Sequence, residues 1–495
     1  MPRWMRQFLS RNSLRWHFCV ALGWAVVVRA LCAYFVYGPQ ALDDYKHGVW
    51  PAYQHFAGQA LDLPDYRSHL LVWILSAFIR VGSWFEVSTA LTQVRVMYFG
   101  LAGLSLLGLV GTYLFVRSFR SRLFPPLALY LVAVYPLMPF VSTRAFGEAI
   151  AMSFVLLGFG VLEDARRTAR SGLTRWCLGF LFLGVAVLFR FHVGLLFVSY
   201  AMILFYLRIM PGVMGAVFAG LLTLLLQTAV DVLSGKAPLG TLLSYLAANE
   251  GGAAQYGVSP WYNTWLFVLA LTLPPFSFVF WPRVRGLWLK HWPWLGPVLL
   301  YILAHSLVPH KEERFLYPVL GVELWALAWL WSSGAFLRWA RTLYTRVFLL
   351  ICVPLLFLVC LVNTQEGEIE PAAYAESRYG AVTYLDQESL FGLSRVQFYF
   401  LRPPSVLEKV GPESFNANVI DEALQRNPNH RAVVLLTSVA RTRDQLHALE
   451  GVHTVDARCL NMRAAGSLID QLIYGLNPAH NQRRRPTWYL VCERS

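Results

Sequence analysis

Residues 1–362 are a succession of apolar runs, 14 to 22 residues each, separated by short segments rich in Lys and Arg. A helix needs about 20 mostly apolar residues to cross a hydrocarbon layer roughly 30 Å thick. Repeated runs near that length leave little room for a water-soluble core. Composition agrees, because 57% of the chain is hydrophobic and only 14% is charged, against about 25% charged in a soluble domain. The expected fold class is therefore a polytopic α-helical membrane protein. The net charge of +14 sits in the apolar part: residues 1–362 hold 28 Lys/Arg against 13 Asp/Glu, and residues 363–495 hold 14 against 15. Nucleic acid is a poor explanation for that excess. Short basic segments are what the positive-inside rule places on the cytoplasmic side.

Six such segments occur: the N-terminus, Arg117–Arg122, Glu163–Arg175, Arg208, Arg283–Trp292 and Ser332–Arg346. Together they hold 18 basic residues and two acids. With all six in the cytoplasm, the spans between them must cross in pairs. Leu70–Phe85, about 16 residues long, then reads as a juxtamembrane or re-entrant helix within a first outer loop over 38–94. The expected spans are 16–37, 95–116, 123–141, 146–163, 176–189, 191–207, 212–233, 263–281, 294–308, 316–331 and 347–362, eleven in all. The N-terminus is expected inside and the C-terminus outside. The basic start leads into a run long enough to span and without a convincing cleavage site, so no cleavable signal peptide is expected.

The expected boundary between a membrane domain and a tail lies at 362. Residues 363–495 carry strand-like runs at 433–440 and 487–493, and an amphipathic helix is expected over Ala464–Tyr474. These features predict a small non-cytoplasmic α/β domain. Its two cysteines, Cys459 and Cys492, would meet an oxidising compartment there. The other five read as small apolar residues. The seven show no metal-binding spacing, and no metal or cofactor is required, although Asp43 and Asp44 could bind a divalent cation as a hard carboxylate pair.

On this topology the polar clusters fall on one side. They are the Asp43-Asp44 pair and Asp62–Ser68 in the first loop, and Thr143-Arg144 with Glu148 in the second. Arg190 and His192, Asn249-Glu250, Pro260-Trp261-Tyr262 and the run His310-Lys311-Glu312-Glu313-Arg314-Phe315 complete the set. A charged side chain at the bilayer centre costs roughly 2.5–3.5 kcal/mol, so the run of five adjacent ionisable groups must sit at an interface or line a wet cavity. Lys311 and Arg314 can hold a phosphate, and Glu312 and Glu313 can keep those cations oriented. The chemistry suits transfer from a lipid phosphate, with a carboxylate as base and arginine forks on the departing phosphate. Plainer readings stand beside these. Asp43 and Asp44 could cap a helix starting at Tyr45, Arg144 could snorkel, and the charged run could be a solvated loop. Arg29 and Glu323, inside expected spans, could be partners.

HKEERF followed by an apolar helix resembles the signature of the dolichyl-phosphate-mannose-dependent mannosyltransferases, within the GT-C class of polyprenyl-phosphate-sugar glycosyltransferases. In GT-C enzymes an acidic residue after the first span is the catalytic base. Here Ala41-Leu42-Asp43-Asp44 stands where the family typically has His-Pro-Asp-Glu, so Asp43 matches the catalytic position and Asp44 replaces the Glu. Thr143-Arg144, Glu148, Arg190 and Pro260-Trp261-Tyr262 match further family positions. The resemblance covers 1–362 and is weak over the tail. It implies a GT-C fold and transfer of a hexose, expected to be mannose, from a polyprenyl-phosphate sugar donor to a glycan or glycolipid acceptor. Catalysis would fall to Asp43 and Asp44, and substrate binding to Arg144, Glu148, Arg190, His310, Lys311, Glu312, Glu313 and Arg314. The expected location is a bacterial inner membrane with a periplasmic active site, the endoplasmic reticulum being the alternative. A lipid-linked sugar flippase and a non-catalytic subunit are the rival readings.

Overall fold

The computed structural model describes residues 8–9, 12–38, 44–61, 63–85, 90–168, 172–250, 257–333, 338–364, 366–386, 405–409, 415–437, 440–476, 484 and 486–495. Up to residue 361 the regular elements among the described residues are helical. Its helices are α1 (Leu14–Phe35), α2 (Trp50–Phe56, entered from a π-helical turn at Tyr45–Val49), α3 (His69–Ser83) and α4 (Ala90–Val116). Next come α5 (Phe124–Val134), α6 (Leu137–Ser142), α7 (Gly147–Arg167), α8 (Leu173–Phe189), α9 (Gly194–Tyr206) and α10 (Met210–Leu233). The set ends with α11 (Gly240–Asn249), α12 (Asn263–Ala270), α13 (Trp281–Leu307), α14 (Tyr317–Ser333) and α15 (Arg338–Leu361). Among the described residues, five helical stretches are long and apolar enough to cross a membrane: Leu14–Phe35, Leu91–Val116, Met210–Leu233, Glu313–Ser333 and Arg338–Leu361. This is a polytopic helical membrane protein.

Three expected boundaries need correction, and proline explains two. The run 123–141 is broken at Tyr135, which is extended (φ −58°, ψ 131°) before Pro136. Proline disfavours the helical region for its predecessor. The run 263–281 stops being α-helical after Ala270, ahead of Leu273 at φ 61° and Pro274-Pro275, and resumes as a 3-10 turn at Phe276–Phe280. The third correction concerns Arg283–Trp292. It is not a loop but the first turns of α13, which runs unbroken to Leu307.

The end of α5 also accounts for Arg29. A helix leaves its last carbonyls without intrahelical partners. Arg29 donates to the carbonyls of Ala133 (2.8 Å) and Val132 (3.2 Å), and its Nε to Ser105 Oγ (2.8 Å). This buried cation therefore serves a helix terminus, not Glu323, whose carboxylate oxygens have no hydrogen-bond partner among the described residues. Elsewhere glycine sets the packing. A Cβ on Gly160 would lie 2.1 Å from the Gly111 carbonyl, and one on Gly111 would lie 2.3 Å from the Leu156 carbonyl. Helices α4 and α7 thus meet backbone to backbone, the small-residue contact favoured in lipid.

Two compact units divide the chain. One comprises Met1–Cys32, Asp62–Trp73 and Phe99–Cys360; the other comprises Ala33–Leu61, Ile74–Tyr98 and Leu361–Ser495. The second unit holds an α/β domain. Its elements are α16 (Glu366–Tyr379), β1 (Val382–Asp386), β2 (Val406–Lys409), α17 (Ala417–Arg426), β3 (Ala432–Thr437), α18 (Ala440–Ala448), β4 (Ala457–Cys459), β5 (Arg463–Ala465), α19 (Leu468–Leu476) and β6 (Thr487–Arg494). The sheet order is β2-β1-β3-β6-β4, with β5 also on β6; β2, β1 and β3 run parallel and β6 antiparallel. All six residues of β3 are buried, as a central strand covered on both faces requires. Cys459 and Cys492 face each other across β4 and β6 and are disulfide-bonded. The helix expected over Ala464–Tyr474 starts later, at Leu468, because Arg463–Ala465 is taken by the sheet and Gly466 turns the chain at φ 144°.

Candidate active site

The site grows from the N-terminus of α7. Phe189 ends α8, Arg190 is extended (φ −149°, ψ 106°), and Phe191–Val193 forms a 3-10 turn into α9. Gly147 lets α7 approach this corner: a Cβ there would lie 2.8 Å from the Phe189 carbonyl and 3.0 Å from Arg190 Nε. Glu148, fully buried in the first turn of α7, meets Arg190 Nη2 at 2.6 Å. A carboxylate at that helix end is also favoured by the helix dipole.

The HKEERF run links α13 to α14. Tyr301, on α13, donates from its hydroxyl to the Phe315 carbonyl at 2.7 Å and so fixes the turn. Glu312 receives Arg314 through two nitrogens, Nε on Oε2 at 2.5 Å and Nη2 on Oε1 at 3.0 Å, and contacts His310 Nε2 at 2.7 Å. The Arg314 guanidinium also lies 5.7 Å from the Phe146 ring centre, next to the start of α7. Lys311 turns elsewhere. Its Nζ donates to the carbonyls of Ser259 (2.9 Å) and Val308 (2.6 Å), tying down the segment before Pro260. Burial holds its ammonium below the usual lysine range. Glu313 is exposed.

His192 shows where these parts converge. Its ring lies 5.2 Å from His305, 5.9 Å from Tyr301 and 6.3 Å from Phe315. Its electrostatic neighbours include Arg190, Arg314 and Arg67. Arg67 comes from the first long loop, where Lys236 Nζ holds the backbone by donating to Asp65 O (2.8 Å) and Arg67 O (3.3 Å). Tyr245, on α11, lies tilted against Phe191 with ring centres 5.3 Å apart and interacts electrostatically with Arg190, Arg67 and Glu148. Three arginines drawn from separate segments therefore gather at one end of the helical unit. Glu148 and Glu312 act as fixed counter-charges. Arg67 was picked out only as part of the polar cluster Asp62–Ser68, with no site role, and Tyr245 was not picked out at all. Their place in the site was not legible, because only the packing of distant loops brings them in.

Two expected residues stand apart. Arg144 follows α6, is fully buried with its guanidinium 4.8 Å from the Phe140 ring, and interacts with the thiols of Cys32 and Cys360. Full burial rules out the snorkelling reading. Asp43 lies outside the described residues. Asp44, in the second unit, is fully buried, helical at φ −65°, ψ −36°, and makes no capping hydrogen bond, so the helix-cap reading fails for it. Among the described residues no three His, Cys, Asp or Glu side chains converge as a metal would require.

The sequence pattern of the Alg9-like mannosyltransferase family matches residues 65–381. This chain belongs to that family. The Alg9-like chain is 35% identical over 97 residues to the alpha-1,2-mannosyltransferase ALG9 of Mus musculus, and 36% identical over 78 residues to that of Saccharomyces cerevisiae. Those matches span 16% and 13% of the relatives' own lengths and 17% and 15% of this chain. Its fold is similar to that of ArnT from Cupriavidus metallidurans bound to undecaprenyl phosphate (TM-score 0.55, 12% identity, 97% of this chain and 98% of that one). It is also similar to the oligosaccharyltransferase of Archaeoglobus fulgidus in its apo form (TM-score 0.51, 11% identity, 86% and 70%). The Alg9-like chain thus has the GT-C fold.

Proposed function

We propose that this Alg9-like protein transfers a hexose, specifically mannose, from a polyprenyl-phosphate carrier to a glycan or glycolipid acceptor, with inversion. The observation that carries the reading is the convergence of Arg67, Arg190 and Arg314 around His192. Arginine matches phosphate oxygens through a planar fork, and charge develops on the phosphate as the bond to the anomeric carbon breaks. Glu148 and Glu312 hold two of the three forks in position. The family resemblance of the Asp43-Asp44 stretch assigns the base to that pair, which takes the proton of the acceptor hydroxyl as that hydroxyl attacks the anomeric carbon. The reaction runs on the non-cytoplasmic side, periplasmic in a bacterial inner membrane. Family membership and the GT-C fold support the reading.

The test is turnover of a polyprenyl-phosphate mannose donor with a lipid-linked acceptor by purified protein. Asp43→Asn should lose at least about a hundredfold, the usual range for a general base, and Asp44→Asn less. Near-normal turnover in both variants would reject this pair as the source of the base.

A further inference from the structure

Helix α7 carries a second charged cluster at its opposite end. Glu163 is fully buried there and both its oxygens are engaged. Oε1 accepts from the Tyr200 hydroxyl (2.7 Å) and Arg166 Nε (2.9 Å), and Oε2 from Arg166 Nη2 (2.7 Å) and Arg167 Nε (3.3 Å). One carboxylate thus faces two guanidinium groups. The Arg167 guanidinium lies 3.9 Å from the Phe119 ring centre, and the His291 imidazole lies 5.5 Å from the same ring.

His291, on α13, is 5% exposed, and neither of its ring nitrogens has a hydrogen-bond partner among the described residues. Trp294 and Trp329 close its apolar sides at 5.7 and 5.2 Å. The charged groups acting most strongly on it include Arg167, Arg166 and Lys290 against Glu163. A buried imidazole nitrogen left unpaired bears its full desolvation cost. In a positive surrounding the group that relieves it is an acceptor bearing negative charge. Lys290 is exposed, and beside it on α13 Trp288 and Leu289 are 41% and 63% exposed. They offer apolar surface to acyl chains next to the cations. Anionic lipids also attract basic segments from the membrane surface.

We infer that His291, Arg167 and Lys290 form a binding site for a phosphate group, separate from the donor site at the other end of α7. The imidazole donates to a phosphate oxygen, while Arg167 and Lys290 neutralise its charge. The source is either an anionic phospholipid headgroup or free phosphate. Full-length protein is reconstituted in nanodiscs of phosphatidylcholine, with or without phosphatidylglycerol, and retained lipid is counted by native mass spectrometry. Wild type should retain phosphatidylglycerol several-fold over phosphatidylcholine. His291→Phe, which keeps the ring volume, and Lys290→Gln, on an exposed face that leaves the fold intact, should both lose that preference. In phosphatidylcholine discs, a rise in Tm with inorganic phosphate, abolished by His291→Phe, would name the free anion as the ligand. Neither a lipid preference nor a phosphate-dependent Tm in wild type would overturn the proposal, leaving water to satisfy the imidazole. Unchanged lipid retention in both variants, with no phosphate-dependent Tm shift lost, would overturn it as well.

Discussion

Arg314 meets Glu312 through an Nη2 hydrogen bond and an Nε ion pair, and its guanidinium lies near the Phe146 and Phe315 rings. A lysine there would keep the charge but lose the fork that engages a carboxylate and a phosphate together. Arg314→Lys should weaken donor binding about tenfold or more, equivalent to roughly 1.5–3 kcal/mol for a lost charge-assisted hydrogen bond. Titration of a fluorescent polyprenyl-phosphate sugar would check it, and acceptor affinity should change little. Lys311→Arg keeps donors for the Ser259 and Val308 carbonyls, so its donor affinity should stay near wild type. Equal losses at both positions would mean the run acts through loop stability instead. The HKEERF run was legible as a candidate site because five charges between apolar helices have few places to go. The division of labour within it was not. Spacing cannot say that Lys311 spends its ammonium on two carbonyls while Arg314 pairs with Glu312.

At the scale of elements, proline and glycine marked breaks that apolarity alone hid. Tyr135-Pro136 and Pro274-Pro275 interrupt runs that hydropathy reads as continuous spans. The basic stretch 283–292 misled in the opposite sense, since a helix can extend beyond the apolar layer with its charges exposed. In the tail, the strands 432–437 and 487–494 followed from their β-branched and aromatic content. The start of α19 did not, because a three-residue strand pairing with β6 depends on a distant partner. Helix α16 yields a prediction. Glu370 accepts from the Tyr489 hydroxyl at 3.2 Å and is half-buried, and burial raises its carboxyl above the usual range. A raised folded pKa favours folding below the unfolded value, about 4.3, and that advantage is lost as pH rises through the folded pKa. Glu370→Gln retains the acceptor without the charge. The variant should therefore melt above wild type at neutral pH, with the gap closing near pH 4. A gap that persists in acid would mean that packing, not ionisation, sets the difference.

For the whole molecule, membrane orientation is the claim most open to a direct experiment. The positive-inside rule, applied to the six basic segments, predicts residues 38–94, the HKEERF run and the tail on the side opposite the N-terminus. The Cys459–Cys492 disulfide fits an oxidising compartment for the tail. In a background where the exposed Cys19 is replaced by Ser, an impermeant thiol reagent applied from outside should label Gln59→Cys and spare Gly172→Cys, both exposed positions. The reverse pattern would invert the topology. The GT-C architecture was legible from ordered motifs along 1–362. The gathering of Arg67, Arg190 and Arg314 was not, because those residues lie 123 and 124 positions apart in turn and only tertiary packing unites them.

Helix α7 is also a ruler. Glu148 and Glu163, both fully buried, lie 15 residues apart on it, about 22 Å at the α-helical rise of 1.5 Å per residue. The backbone contact of Gly111 with Gly160 keeps α7 from sliding along α4 to change where those ends sit. A typical hydrocarbon core is about 30 Å thick; if the charged clusters at the two ends of α7 mark the membrane surfaces, the lipid around them is thinner, at a cost of fractions of a kcal/mol per Å. Turnover measured across a series of lipid chain lengths should thus favour the shorter chains. Bilayer thickness, and not only headgroup chemistry, becomes a variable that sets how this protein works.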